Sequence, residues 1–240
     1  MRLFRFEGKP QGQMNIFIGQ NPAATACPMP PPTPPITALP QLADLARQRL
    51  DPAVWAFLSG GAADELTLRA STQAWQELPL WPRVLRPLSG GHTRVALAGR
   101  ELAHPILLAP VALQRLLHPE GEWASALAAA AQGAGVILST QTSVPMQRVA
   151  QAVLGDAGRG PLWFQLYWQM DRGFNHALVQ QAESAGFEAI VLTVDAPVQG
   201  VRDAERQAGF APPAGIHAVH LRDAPAPPAA ADTYCAGLPA

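Results

Sequence analysis

Four short apolar runs recur along the middle of this chain, and each ends in polar or turn residues. They are Pro105-Ile-Leu-Leu-Ala-Pro110, Gly135-Val-Ile-Leu-Ser139-Thr140, Pro161-Leu-Trp-Phe-Gln165-Leu-Tyr167 and Ala189-Ile-Val-Leu-Thr193-Val-Asp195. A continuous apolar run of this length, bounded by turn formers, is the pattern of a strand buried on both faces. Alanine-rich stretches of helical spacing separate the runs. A strand–helix repeat of roughly 25–30 residues is the rhythm of a parallel (β/α)8 barrel. The expected strands are Ile106–Ala109, Val136–Ser139, Leu162–Tyr167 and Ala189–Val194. No fifth strand signal follows. The fold class expected is therefore α/β, a TIM (β/α)8-barrel type of which the chain supplies about the first four βα units.

The helices between the strands are read from apolar period and caps. They are Glu120–Gln132, about Pro145 to Leu154, and Asp171–Ala185, where Phe174, Ala177, Leu178, Gln181 and Ala182 keep a 3.6 period. His118-Pro119-Glu120-Gly121-Glu122 places acids where the helix macrodipole favours them. Three small helices are expected upstream. Gln41–Leu50 is amphipathic. Asp51-Pro52 starts the second, which ends at Gly60-Gly61. The third runs from about Ala63 to Glu77. Thr93 to Leu102 alternates around Gly99 and reads as a hairpin on the barrel floor.

The flanks differ in composition. Residues 1–39 are read as a disordered, proline-rich arm, because proline removes donors and fixes φ. Met14 is an alternative start. Residues 40–210 are the folded domain. Residues 211–240 are read as a disordered Ala/Pro-rich tail. A net charge of −1 gives no electrostatic reason to expect nucleic acid as a partner. No apolar run approaches the ~20 residues of a membrane span. The two cysteines, Cys27 and Cys235, form neither a disulfide framework nor a metal-ligand pattern, so a reducing, cytoplasmic location is expected.

In such barrels, chemistry sits at the C-terminal ends of the strands. Ser139, Gln165, Tyr167, Thr193 and Asp195 fall there. Taken alone, a polar residue ending a strand serves as a loop cap about as often as a ligand.

Five blocks carry a resemblance. Ser59-Gly60-Gly61-Ala62, Ala109-Pro110, His118-Pro119-Glu120-Gly121-Glu122, Phe164-Gln165-Leu166-Tyr167 and Leu192-Thr193-Val194-Asp195-Ala196-Pro197 resemble the FMN-dependent α-hydroxy-acid oxidases and dehydrogenases. Glycolate oxidase and the flavin L-lactate dehydrogenases belong to that family. The blocks run in order from about Pro40 to about Pro213 and cover only the N-terminal part of the family's barrel.

The resemblance implies FMN as cofactor and oxidation of a small L-2-hydroxy acid, lactate- or glycolate-like, to the 2-oxo acid. It implies that Pro110, Val111 and Ala112 lie against the flavin ring. Ser139, Gln165 and Thr193 would hydrogen-bond the ring's polar edge. Tyr167 would polarise the substrate hydroxyl or hold its carboxylate, with Arg202 assisting at the pocket mouth. Asp195 would orient and charge-stabilise a catalytic histidine.

Three departures stand out. Phe57 occupies a position where the family carries a substrate-binding tyrosine, and the missing hydroxyl removes about 1–2 kcal/mol of binding. Val111 and Gln141 also replace commoner residues. The family's lysine near the flavin, its histidine base, its carboxylate-pairing arginine and its phosphate site have no match after Pro213. His118 is read as a helix-start residue. His92, His104, His176, His217 and His220 are read as solvent or core histidines.

Two functions follow as expectations. One is an FMN-dependent hydroxy-acid oxidoreductase, present as an N-terminal part or truncated product and weakly active or inactive alone. The other is a non-catalytic half-barrel that binds a partner or itself through its open edges.

Overall fold

The computed structural model describes residues 36–195, 200–222 and 224. The expected N-terminal arm through residue 35, and the tail from 225 onward, lie outside the described residues.

Three helices come first: α1 (Pro40–Arg49), α2 (Pro52–Ser59) and α3 (Leu66–Gln76). The start of α2 is dictated locally. Asp51 Oδ1 accepts from the N–H groups of Ala53 at 2.8 Å and Val54 at 3.4 Å, and Pro52 supplies a preset φ. Helix α3 begins three residues later than the pattern predicts, because Ala63 and Glu65 adopt left-handed φ of 43° and 58°. These helices contribute little core: Val54 is the buried residue of α2, while α1 and α3 bury none.

The hairpin of β1 (Val95–Leu97) and β2 (Arg100–Leu102) is antiparallel, and Ala98-Gly99 make its turn with positive φ. It is clipped to the sheet's N-terminal end. Arg100 donates to both oxygens of Glu188 at 2.6 and 2.7 Å and to the Arg159 carbonyl at 2.7 Å. Arg159 donates to Glu188 Oε1 at 2.6 Å. Burial alone raises the Glu188 carboxyl pKa, but the hydrogen bonds and charges of Arg100 and Arg159 outweigh it and hold the group below its ordinary value.

The parallel sheet follows in chain order: β3 (Leu107–Leu108), β4 (Gly135–Leu138), β5 (Leu162–Tyr167) and β6 (Ala189–Thr193). Helices α4 (Glu122–Ala131), α5 (Met146–Val153) and α6 (Arg172–Ser184) make the connections. All four predicted strands are present. The first is shorter than expected, since proline at 105 and 110 removes ladder donors on both sides. The core lies between α4, α5, α6 and the central strands, around Ala126, Leu138, Met146, Val149, Phe164 and Ala182. Phe187 meets Phe164 edge-on at 5.8 Å. The flanking strands are less covered: Leu108, Ile190 and Leu192 are all exposed.

A short helix, α7 (Asp203–Gln207), has no counterpart among the expected elements. The expected tail also needs correction. Residues 211–222 do not leave the domain at 211. Val219 N–H donates to the Thr142 carbonyl at 3.0 Å, Met146 N–H donates to His220 Nε2 at 2.9 Å, and Leu221 packs on the core. Proline at 212 and 213 fixes φ without forbidding an extended strap, so composition alone misplaces the boundary. His220 acts here as an acceptor, in keeping with burial lowering its pKa.

Candidate functional site

The C-terminal ends of β4, β5 and β6 carry a continuous row of side-chain hydrogen bonds. Ser139 Oγ donates to Gln165 Oε1 at 3.3 Å, and Thr140 N–H donates to the same oxygen at 3.2 Å. Gln165 Nε2 donates to Thr193 Oγ1 at 2.8 Å. Ser139 and Gln165 are buried, so each polar atom requires a partner, and the row supplies it. Thr140, which the sequence pattern does not single out, staples the row to the next strand. Its Oγ1 donates to the Gln165 carbonyl at 2.5 Å and accepts from the Tyr167 N–H at 3.0 Å. Three of the predicted ring-edge residues are thereby brought together.

Beside the row opens a cleft of about 870 Å3. Ala112, Leu113 and Gln141 line it from the loops after β3 and β4, with Tyr167 at the end of β5. Phe57, Arg202 and Phe210 form its far wall. Phe57 stacks on Phe210 with ring centroids 4.5 Å apart. Arg202 lies 5.3 Å above the Phe57 ring. Its guanidinium donates to the carbonyls of Phe57 and Gly60 and pairs with Glu205 at 3.2 Å. Arg202 thus closes the C-terminal end of α2, whose last carbonyls lack helical donors. It stands at the cleft with its hydrogen bonds directed at the wall.

The remaining predicted residues are less enclosed. Pro110 is half-buried and Val111 is exposed ahead of Ala112. Asp195 is exposed in the bend after β6. Two further cleft residues escape sequence reasoning. Phe210 carries no motif, and His217 reads as a solvent or core histidine. The folded-back strap places both on the cleft, and Arg222 lies 2.5 Å from His217 Nε2. His118 lies in the turn ahead of α4, where its Nδ1 accepts the Glu120 N–H at 3.3 Å.

Hydroxyl, carboxamide and hydroxyl in one line carry both donors and acceptors at fixed points, bonded to one another rather than lining the cleft themselves. That donor set fits the polar edge of a heterocyclic ring, and the adjoining cleft is of the size that cofactor sites have.

Comparison with known proteins places the arrangement. The sequence profile of the family described as FMN-dependent dehydrogenase matches residues 46–236. The chain belongs to that family. It is 43% identical over 183 residues to an L-lactate oxidase of Roseobacter sp. (strain GAI101), an alignment covering 76% of this chain and 48% of that protein. It is 42% identical over 183 residues to the 4-hydroxymandelate oxidase of Amycolatopsis orientalis, covering 75% and 50%. The crystal structure of mandelate oxidase with (S)-2-phenylpropionate superposes with a TM-score of 0.73 at 39% identity, covering 80% of this chain and 56% of that one. The chain spans about half the length of the curated relatives it matches. The family is FMN-dependent and its named relatives are 2-hydroxy-acid oxidases, so the resemblance read from the five blocks holds.

Proposed function

We propose that this chain forms the flavin-ring half of an FMN-dependent oxidoreductase acting on a small L-2-hydroxy acid of the lactate or glycolate kind. The observation that carries the reading is the Ser139–Gln165–Thr193 row at consecutive strand ends beside an open cleft. FMN, when bound, supplies the two-electron acceptor for oxidation of the hydroxy acid to the 2-oxo acid.

The chain's own residues then divide the work. Ser139, Gln165 and Thr193 hold the ring edge, and Pro110, Val111 and Ala112 offer backbone against its face. Tyr167 presents a phenol to the substrate hydroxyl or carboxylate. Arg202 stands at the pocket mouth to assist the substrate carboxylate, and Phe57 supplies a ring without a hydroxyl. Asp195 serves to orient a histidine base. That base has no match in this sequence, and a missing general base costs about 10²–10⁴ in rate. A reducing, cytoplasmic setting suits a chain whose cysteines have no framework spacing.

Lactate- and glycolate-dependent dye reduction, measured on FMN-reconstituted protein, tests this. Turnover far below that of the named oxidases, abolished by Tyr167→Phe together with Arg202→Leu, is expected. Turnover at the oxidases' own rates would contradict the assignment of roles. A second reading, a non-catalytic half-barrel that associates with itself or a partner, draws on the exposed Leu108, Ile190 and Leu192 along the flanking strands.

A further inference from the structure

Glu122, the first residue of α4, is only 1% exposed. Its carboxylate is satisfied by neutral donors from two different loops. Oε1 accepts the Gln114 N–H at 3.0 Å and the Ser143 N–H at 2.9 Å. Oε2 accepts the Ser143 hydroxyl at 2.8 Å. Ser143 Oγ accepts in turn from the Arg115 N–H at 3.1 Å. A buried polar group is costly unless its hydrogen bonds are made, and removing one partner leaves the others unsatisfied.

Gln114 and Arg115 belong to the loop after β3, and Ser143 to the loop after β4. A further tie joins the same loops, for Leu113 N–H donates to the Gln141 carbonyl at 3.0 Å. Leu113 pays for this in backbone conformation, with φ 51° and ψ 45°. A non-glycine residue stays in the left-handed region only where its surroundings over-determine it. Gly121 makes room for the clasp. At φ 53°, a Cβ there would meet Arg115 Cγ at 2.7 Å.

Neither Glu122 nor its partners Gln114 and Ser143 line the cleft; residues one or two positions along the same two loops do. Ala112 and Leu113 stand on one loop and Gln141 on the other, and all three border the cleft. We propose that Glu122 is a positioning residue that fixes the separation of Pro110–Ala112 from Ser139–Gln141. It thereby sets the width of the slot into which a flavin ring would slide. This rests on the proposed function for its ligand, though not for its geometry.

The test uses the full chain and the variants Glu122→Gln, Glu122→Leu and Ser143→Ala. Riboflavin and FMN fluorescence quenching reads affinity, and amide hydrogen exchange reads the clasp. Glu122→Gln keeps the Oε1 acceptor, so it should raise the flavin dissociation constant about threefold, and Glu122→Leu at least tenfold. Residues 113–116 and 141–144 should exchange at least tenfold faster in Glu122→Leu, with 162–167 little changed. Ser143→Ala should reproduce part of the effect and add nothing on top of Glu122→Leu. It also serves as the decisive variant if Glu122→Leu does not fold. Faster exchange spread evenly over 162–167 as well, or unchanged exchange in both loops, would overturn the proposal. If wild-type protein binds no flavin, the proposed function fails, and the exchange experiment still decides whether Glu122 sets the two loops.

Discussion

The side-chain amide of Gln165 donates to Thr193 Oγ1 at 2.8 Å, across the C-terminal ends of neighbouring parallel strands. The other end of the same amide takes two donors from the β4 side, Ser139 Oγ and Thr140 N–H. One side chain therefore laces three strands together at the face where this fold places chemistry. Backbone pairing fixes strand register; the Gln165 amide fixes how polar groups are presented above it.

Gln165→Leu keeps the volume and removes the lacing. It leaves buried donors and acceptors without partners, so stability should fall by about 1–3 kcal/mol. Urea denaturation followed by tryptophan fluorescence measures this. A loss below about 0.5 kcal/mol would mean that the row is not a cooperative unit.

Much of this site is legible in the amino-acid sequence. Ser139, Gln165, Tyr167 and Thr193 each end an apolar run, and period and caps place such residues at one end of a parallel sheet. What escapes is what depends on distant chain folding back. The contact between Val219 and Thr142, and with it the place of Phe210 and His217 at the cleft, has no local signature. Glu122 shows the same limit differently. Its position at a helix start is readable as favourable charge placement, yet its burial under Gln114 and Ser143 depends on two loops meeting. Helix α7 escapes because five residues carry too little apolar period to register.

The floor clip makes stability depend on acid. The Glu188 carboxyl is held below its ordinary pKa of 4.5 in the folded chain. A depressed carboxylate contributes stability above its unfolded pKa and loses it as pH falls through the folded value. Glu188→Gln should therefore cost about 0.5–1 kcal/mol near neutral pH, the scale of a half-exposed ion pair. The deficit relative to wild type should shrink steadily below pH 4.5. Thermal unfolding of both proteins across pH reads the difference, and a gap that does not close in acid would locate the effect in packing instead.

The surface away from the core predicts association. Leu80 is 94% and Trp81 91% exposed, beside Val84, Leu85 and Leu88. The flanking strands add Leu108, Ile190 and Leu192. Open apolar edges template pairing with another chain. This chain should elute above its monomer mass at micromolar concentration, either as a defined dimer or as heterogeneous aggregate. Light scattering separates the two. A clean monomer would contradict this prediction.

The central claim is that the strand-end row holds a flavin ring by its edge. Titrating the full chain into FMN and into riboflavin, with quenching of flavin fluorescence as the signal, tests it most directly. In the proposed arrangement every residue assigned to the flavin would meet the ring, so the two flavins should bind with similar, modest affinity. Gln165→Leu should weaken both at least tenfold, which corresponds to about 1.4 kcal/mol. No saturable quenching by the wild-type chain, or quenching that Gln165→Leu leaves intact, would contradict the account.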